Sequence, residues 1–132
     1  AGVSPYYRGT DCNFWALYDE NPIFVGTTIH LLSRGLDSGP ILYHAMSNLK
    51  KNPFEYSMST IKSAFQSVIL RIRDGSIFKI KALPQDKTKE LRYSKNSDFN
   101  EEVVRKYLEK EIDLNVSNYN TSYLKDPFFL DS

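Results

Sequence analysis

The apolar residues change their spacing along the chain, and each change marks an element. Phe24 to Leu32 (FVGTTIHLL) is rich in β-branched residues and predicts a strand, with Gly26 weakening it or marking a bulge. Ile41 to Met46 (ILYHAM) predicts a second strand. Between them Ser33 to Pro40 (SRGLDSGP) is polar and holds two glycines, so the pair reads as a hairpin with an exposed tip. The period then becomes helical. Met58, Ile61, Phe65, Val68 and Ile72 recur at spacings of three and four, which places them on one face. Asn52 is the expected cap of this helix, Pro53 suits its first turn, Glu55 and Arg71 with Arg73 suit its dipole, and Gly75 stops it. Its apolar stripe is expected to pack on a sheet.

Weaker signals fill the remainder. Ser4 to Gly9 reads as a loop, and Asp11 to Tyr18 as a short helix capped by Asp11. Ser76 to Leu83 alternates Phe78, Ile80 and Ala82 against Lys79 and Lys81, the pattern of a half-buried strand. Pro84 to Asn100 is polar and expected to be mostly loop, and Asn100 should cap a last helix reaching Glu111. From Asn115 onward no period is visible, although Tyr119, Tyr123, Phe128 and Phe129 could wrap an existing surface. Strands and helices in this order predict an α/β fold, with one domain over residues 1–114 and an irregular tail over 115–132.

Composition narrows the class without naming a function. The 132 residues suit one domain, and 41% hydrophobic with 25% charged is an ordinary globular balance. No apolar run approaches the ~20 residues of a membrane-spanning helix. The opening Ala1-Gly2-Val3-Ser4-Pro5 lacks the pattern of a signal peptide, and the single Cys12 fits a reducing compartment, so a cytoplasmic location is expected. Cys12 reads as an inert, partly buried thiol. The net charge of +1 conceals a basic stretch: Lys50 to Lys95 holds eleven Lys or Arg against four Asp or Glu. Such a stretch either steers an anionic ligand or is a solvated face balanced by the acidic residues after Asp98. The glycosylation patterns at Asn115 and Asn120 read as chance.

No zinc pattern, phosphate loop or dinucleotide fingerprint is present. His30 and His44 fall in predicted strands, where a lone histidine is more often structural. Asp37, at the tip of the glycine-flanked turn Gly35-Leu36-Asp37-Ser38-Gly39-Pro40, has no core role there. It either faces a ligand or bonds its own turn.

Three blocks together carry a resemblance. Ser4-Pro5-Tyr6-Tyr7-Arg8-Gly9, then Gly26-Thr27-Thr28-Ile29-His30, then Leu36-Asp37-Ser38-Gly39-Pro40-Ile41-Leu42 resemble, in order and spacing, the folate-dependent formyltransferases. That family includes methionyl-tRNA, glycinamide ribonucleotide and sugar N-formyltransferases, and the SPYYRG form with Phe14-Trp15 looks closest to the sugar-type members. Arg92-Tyr93-Ser94 through Phe99 resembles the same branch more weakly.

The resemblance implies a fold, a reaction and a site. The fold would be the later part of a formyltransferase-like doubly wound sheet, with flanking helices and a catalytic hairpin. The reaction would move a formyl group from 10-formyltetrahydrofolate to an amine. An anionic acceptor such as a nucleotide-linked amino sugar is expected from the basic residues Lys79, Lys81, Lys87, Lys89 and Arg92. Asp37 carries over as the catalytic aspartate, and Leu36 with Asp37 as residues at the folate donor. The family's Asn-x-His motif belongs immediately before Ala1, so neither His30 nor His44 inherits the catalytic histidine's role. Without that motif the chain by itself is expected to be nearly inactive, since each oxyanion donor is commonly worth ~3–4 kcal/mol. Sheet edges left open by absent first strands predict association, as a homo-oligomer or with a chain carrying the missing half. No membrane partner is expected, and no nucleic acid unless tRNA is the acceptor. Two other readings remain: a binding module using the basic face, and a hydrolase that releases formate from the same folate.

Overall fold

The computed structural model describes residues 1–35, 38–50, 52–110 and 120–130. Five strands and three helices follow one another as β1 (Tyr7–Gly9), α1 (Cys12–Tyr18), β2 (Thr27–His30), β3 (Ile41–Ser47), α2 (Pro53–Arg73), β4 (Arg92–Ser94), α3 (Glu101–Glu109) and β5 (Phe128–Leu130), among the described residues. The fold is α/β, as the element order predicts. β2 and β3 form the expected antiparallel hairpin, with a register irregularity between Ile29 and His30 rather than at Gly26. β5 joins β3 in parallel, giving the order β2-β3-β5, and α2 lies in the crossover that such parallel pairing requires. A second pair, β1 with β4, is also parallel. Gly9 permits it: with φ of 96° its missing Cβ leaves room for the Ser94 carbonyl.

The core lies between α1, β3 and the neighbouring turns, where Val3, Tyr7, Trp15, Leu17, Phe24, Val25, Met46 and Tyr56 are buried. Arg92 closes one side. Its guanidinium grips both oxygens of Asp19, at 2.7 and 2.9 Å, while lying 4.3 Å from the Trp15 ring.

α2 starts and stops where its signals place it. Asn52 Oδ1 accepts from the Phe54 and Glu55 amides, and Gly75 follows the last turn with φ of 78°. The expected packing of its apolar stripe is overturned. Tyr56, Thr60, Ser63 and Ser67 are the buried residues of α2, whereas Met58, Phe65 and Ile72 are 48%, 71% and 52% exposed. The reason is the chemistry of the facing layer. Asn13 donates to Ser57 and Thr60, Thr27 bonds Thr60, and Tyr43 donates to Ser67, whose own hydroxyl goes to the Ala64 carbonyl. A facing layer that presents the hydroxyls of Thr27 and Tyr43 from the sheet and the amide of Asn13 from α1 selects the polar side of the helix, because those groups would otherwise be buried unpaired.

Several local readings are corrected in the same way. Ser76–Lys79 is a 3₁₀ turn with Phe78 80% exposed, not a strand. Asp74 Oδ1 takes the Ser76 amide and Phe78 bonds back to Gly75, so turn bonds defeat the alternation, and only Leu83 bridges to Ile41. Ser4 to Gly9 is not all loop, since it ends in β1, and the polar stretch to Asn100 contains β4. Asp11 stands before α1 in the left-handed region without capping it, whereas Asn100 does cap α3 at the Val103 amide. The strand expected from Phe24 begins only at Thr27, because Pro22–Phe24 forms a 3₁₀ turn. Glu111 and Tyr119 lie outside the described residues.

Candidate active site

The hairpin holds the start of the chain. Thr28 and His44 are directly paired across β2 and β3. The Thr28 hydroxyl donates to the Gly2 carbonyl at 2.7 Å and accepts the Ser4 amide at 2.9 Å. His44 Nε2 donates to the Ser4 carbonyl at 2.8 Å, and its Nδ1 accepts the Lys125 amide at 3.0 Å. Both backbone groups of Ser4, which precedes a cis bond to Pro5, are thus satisfied by one cross-strand pair. These bonds require the neutral Nε2–H tautomer. Burial, only partly opposed by the Ser4 bond, lowers the His44 pKa to about 4, so the ring stays neutral near neutral pH. His44 is therefore structural, as its place in a strand suggests.

The clamp brings two of the three motif blocks to one cavity of ≈ 100 Å³. Ser4, Tyr7, Arg8 and Gly9 of the first block and Thr27, Thr28 and His30 of the second line it, with Ala1, Gly2 and Cys12 completing the wall. The third block begins on the loop that leaves His30. That loop is closed at its base by the Leu31 amide on the Pro40 carbonyl, and Gln85 donates to the Gly39 carbonyl at 2.9 Å. Glycine is required at 39, because a Cβ there would collide with the Leu31 carbonyl. His30 Nδ1 donates to the same Leu31 carbonyl at 2.8 Å, and Ser33 and Ser38 share a hydroxyl bond of 2.9 Å. Leu36 and Asp37 themselves lie outside the described residues.

The cavity wall combines polar and apolar surface in nearly equal parts. Tyr7 contributes no base, since burial above all pushes its phenol pKa well up while the hydroxyl donates to Asp19. Arg8 has an ion pair to Glu90 at 3.7 Å, too long for a hydrogen bond, and its buried Nε–H has no partner. Cys12 is buried against the Gly9 carbonyl, in keeping with an inert thiol. Of the basic residues singled out in the sequence, Arg92 is committed to Asp19 and does not face a ligand. Thr28 and Asn13, whose Oδ1 accepts the Gly26 amide, were invisible as positioning residues, because a hydroxyl or amide in a short apolar segment carries no periodic signal.

The fold is similar to that of a solved structure, the formyltransferase PseJ from Anoxybacillus kamchatkensis in complex with UDP-4,6-dideoxy-4-formamido-L-AltNAc and tetrahydrofolate. The match covers 80% of this chain at 31% identity, with a TM-score of 0.54. The fold is formyltransferase-like. The chain spans about half, 52%, of the length of that formyltransferase. No family model and no curated protein matches the chain. Two of the three resembling blocks, Ser4–Gly9 and Gly26–His30, are those that the hairpin gathers around the cavity. No helix among the described residues is long and apolar enough to cross a membrane.

Proposed function

We propose that this chain is the later part of a formyltransferase that moves a formyl group from 10-formyltetrahydrofolate to the amine of an anionic small molecule, such as a nucleotide-linked amino sugar. One observation carries the reading: blocks separated by some twenty residues in sequence, Ser4–Gly9 and Gly26–His30, converge on a single cavity beside the loop that bears Asp37. The similarity to an enzyme solved with tetrahydrofolate and a formamido sugar nucleotide supports the same donor and acceptor classes.

In the transfer, a bond forms between the acceptor nitrogen and the formyl carbon, the carbon–nitrogen bond to folate breaks, the amine gives up a proton, and the released folate nitrogen takes one up. Asp37 is the proposed group for that proton. A cavity of ≈ 100 Å³ fits only the reacting amine and formyl end, well below the ~300–1,000 Å³ of a whole-ligand site. The folate's contact with Leu36 and Asp37 would thus be a small part of its binding surface, the larger part falling to polypeptide outside these 132 residues.

The test is Asp37→Asn in the protein extended upstream of Ala1. Formyl transfer is measured by mass spectrometry of the acceptor, and formate release is followed in parallel. Turnover is expected to fall by ~10²-fold with melting little changed. Unchanged turnover would remove Asp37 from the chemistry, and formate without formylated acceptor would identify a hydrolase instead.

A further inference from the structure

Segment 120–130 contains only a 3₁₀ turn and the three-residue β5, but it is anchored along its length. Leu124 is buried in the core, and the Tyr123 ring meets those of Tyr6 and Phe24 at 5.8 and 5.5 Å. Beyond Lys125, Arg71 donates to the Asp126 carbonyl at 2.9 Å, and β5 runs along β3. Lys125 makes the most specific contacts. Its amide donates to His44 Nδ1 at 3.0 Å, its carbonyl accepts the His44 amide at 3.0 Å, and its ammonium donates to the Leu42 carbonyl at 2.7 Å.

His44 carries this contact across to the cavity. A neutral imidazole has one N–H and one bare nitrogen, so the bond made at one nitrogen decides the role of the other. The Lys125 amide can only donate. Nδ1 is therefore the bare nitrogen, and the proton sits on Nε2, aimed at the Ser4 carbonyl 2.8 Å away. Ser4 lines the cavity of ≈ 100 Å³, and its amide is held from the other side by Thr28. Without a donor at Nδ1 the proton could occupy either nitrogen, and a proton on Nδ1 would set the Nε2 lone pair against the Ser4 carbonyl. A second link runs beside the first: the Tyr6 hydroxyl donates to the Tyr123 carbonyl at 3.3 Å. Ser4 and Tyr6 both belong to the first motif block.

We propose that residues 120–130 are a working part of the transfer site, with Lys125 and His44 as positioning residues that fix the Ser4 wall of the cavity. None of residues 120–130 lines the cavity, so the segment acts through the tautomer of a buried ring. Its importance for turnover rests on the proposed function, whereas its hold on Ser4 does not.

Three variants separate these roles. Lys125→Pro removes the amide donor, Lys125→Ala keeps it and removes the ammonium, and Arg71→Gln loosens the segment at Asp126 without touching His44 or Ser4. Proton–nitrogen NMR near neutral pH follows the His44 ring. Amide exchange is followed at Ser4 and, as the reference, at Trp15 of α1, whose amide is bonded to the Asp11 carbonyl. Wild type and Lys125→Ala should show the pure Nε2–H pattern, and Lys125→Pro a mixture of tautomers. Ser4 exchange should quicken by ~10-fold in Lys125→Pro and ~3-fold in Arg71→Gln, with Trp15 unchanged. Turnover of Lys125→Pro in the formyl-transfer assay should fall by ~10-fold or more, because a misplacement of about 1 Å can cost ~10²-fold.

Unmoved Ser4 exchange in Lys125→Pro overturns the proposal, as does an equal rise at Ser4 and Trp15, which would mean general loosening. Where Lys125→Pro does not fold, unmoved Ser4 exchange in Arg71→Gln overturns it instead. A loosened Ser4 with undiminished turnover would also defeat it, since the wall would then not matter to transfer. A wild-type protein that transfers no formyl group defeats the proposed function, and Ser4 exchange still decides what the segment holds.

Discussion

The two sides of α2 differ in a way that inverts the usual reading of an amphipathic helix. Its inner side is made of Thr60, Ser63 and Ser67, all completely buried, and its outer side of Phe54, Met58, Phe65, Ile69 and Ile72, all substantially exposed. Along Thr60, Ser63 and Ser67 small hydroxyls let the helix approach the facing layer closely and pair with Asn13, Thr27 and Tyr43, and Tyr56 is the one large side chain that this side of α2 buries. The apolar row is thus not evidence of where the sheet lies. It lies exposed, while the side toward the sheet is specified by hydrogen bonds.

The strongest way to break this comparison is to give the inner side a large apolar residue. Ser67→Leu removes the acceptor of the Tyr43 hydroxyl and forces extra volume against the sheet. A loss of roughly 3–5 kcal/mol is expected from overpacking plus a buried unpaired hydroxyl. Urea unfolding of Ser67→Leu beside Phe65→Ser in the 132-residue chain checks it. The inner change should move the midpoint strongly and the outer one hardly at all; equal effects would mean that the sides are assigned the wrong way round.

Acid tests the polar layer at a second point. Burial, helped by the nearby Lys125 charge and only partly opposed by the Ser4 bond, keeps the folded His44 ring neutral down to about pH 4, with Nε2–H toward Ser4 and Nδ1 toward Lys125. An unfolded histidine takes up its proton near 6.5. Above about pH 6.5 the ring is neutral in both states and costs nothing. As the pH falls from about 6.5 toward 4, only the unfolded state gains the proton, and stability drops by about 3 kcal/mol. Melting temperatures of wild type and His44→Gln between pH 7 and 5 measure this, in a range above most carboxylate titration. Parallel slopes for the two proteins would exclude His44 as the source.

What the sequence made legible follows the same division. The hairpin, the start and stop of α2 and the cap of α3 were readable because each rests on local rules: β-branched runs around a glycine turn, Asn52 before Pro53, Asn100 before an amphipathic segment. β4 and β5 were not. Each is three residues long and exists through pairing with a distant strand, β1 for one and β3 for the other. No local pattern encodes such pairing. For the site, the motif blocks were visible by resemblance, but the Thr28–His44 pair that gathers them was not, because its partners are the backbone groups of Gly2, Ser4 and Lys125. Side-chain bonds to remote backbone leave no spacing signal.

The end of α2 gives a smaller effect that calibrates both sides. Asn52 is exposed and belongs to neither, but its Oδ1 holds the amides of Phe54 and Glu55. Asn52→Ala should cost about 1 kcal/mol, and Asn52→Asp should recover most of it. Denaturation midpoints of the three proteins check the order, which a purely solvent-exposed asparagine would not produce.

Ser63 provides the smallest expected effect and the sharpest distinction within the inner side. Its hydroxyl is as buried as those of Thr60 and Ser67, but it has no hydrogen-bond partner, whereas each of them has a named one. If bonds to the sheet are what select this side of α2, the three hydroxyls are not equivalent. Ser63→Ala removes a polar atom that lost its water on burial without compensation, and alanine is also the better helix former. Stability is therefore expected to stay within about 0.5 kcal/mol of wild type or to rise. Thr60→Val and Ser67→Ala should instead cost about 1 kcal/mol or more, because each strands a partner in the facing layer. Paired urea titrations of the three variants decide it. A clear loss for Ser63→Ala, equal to the others, would show that small size alone, rather than hydrogen bonding, chooses which side of the helix meets the sheet.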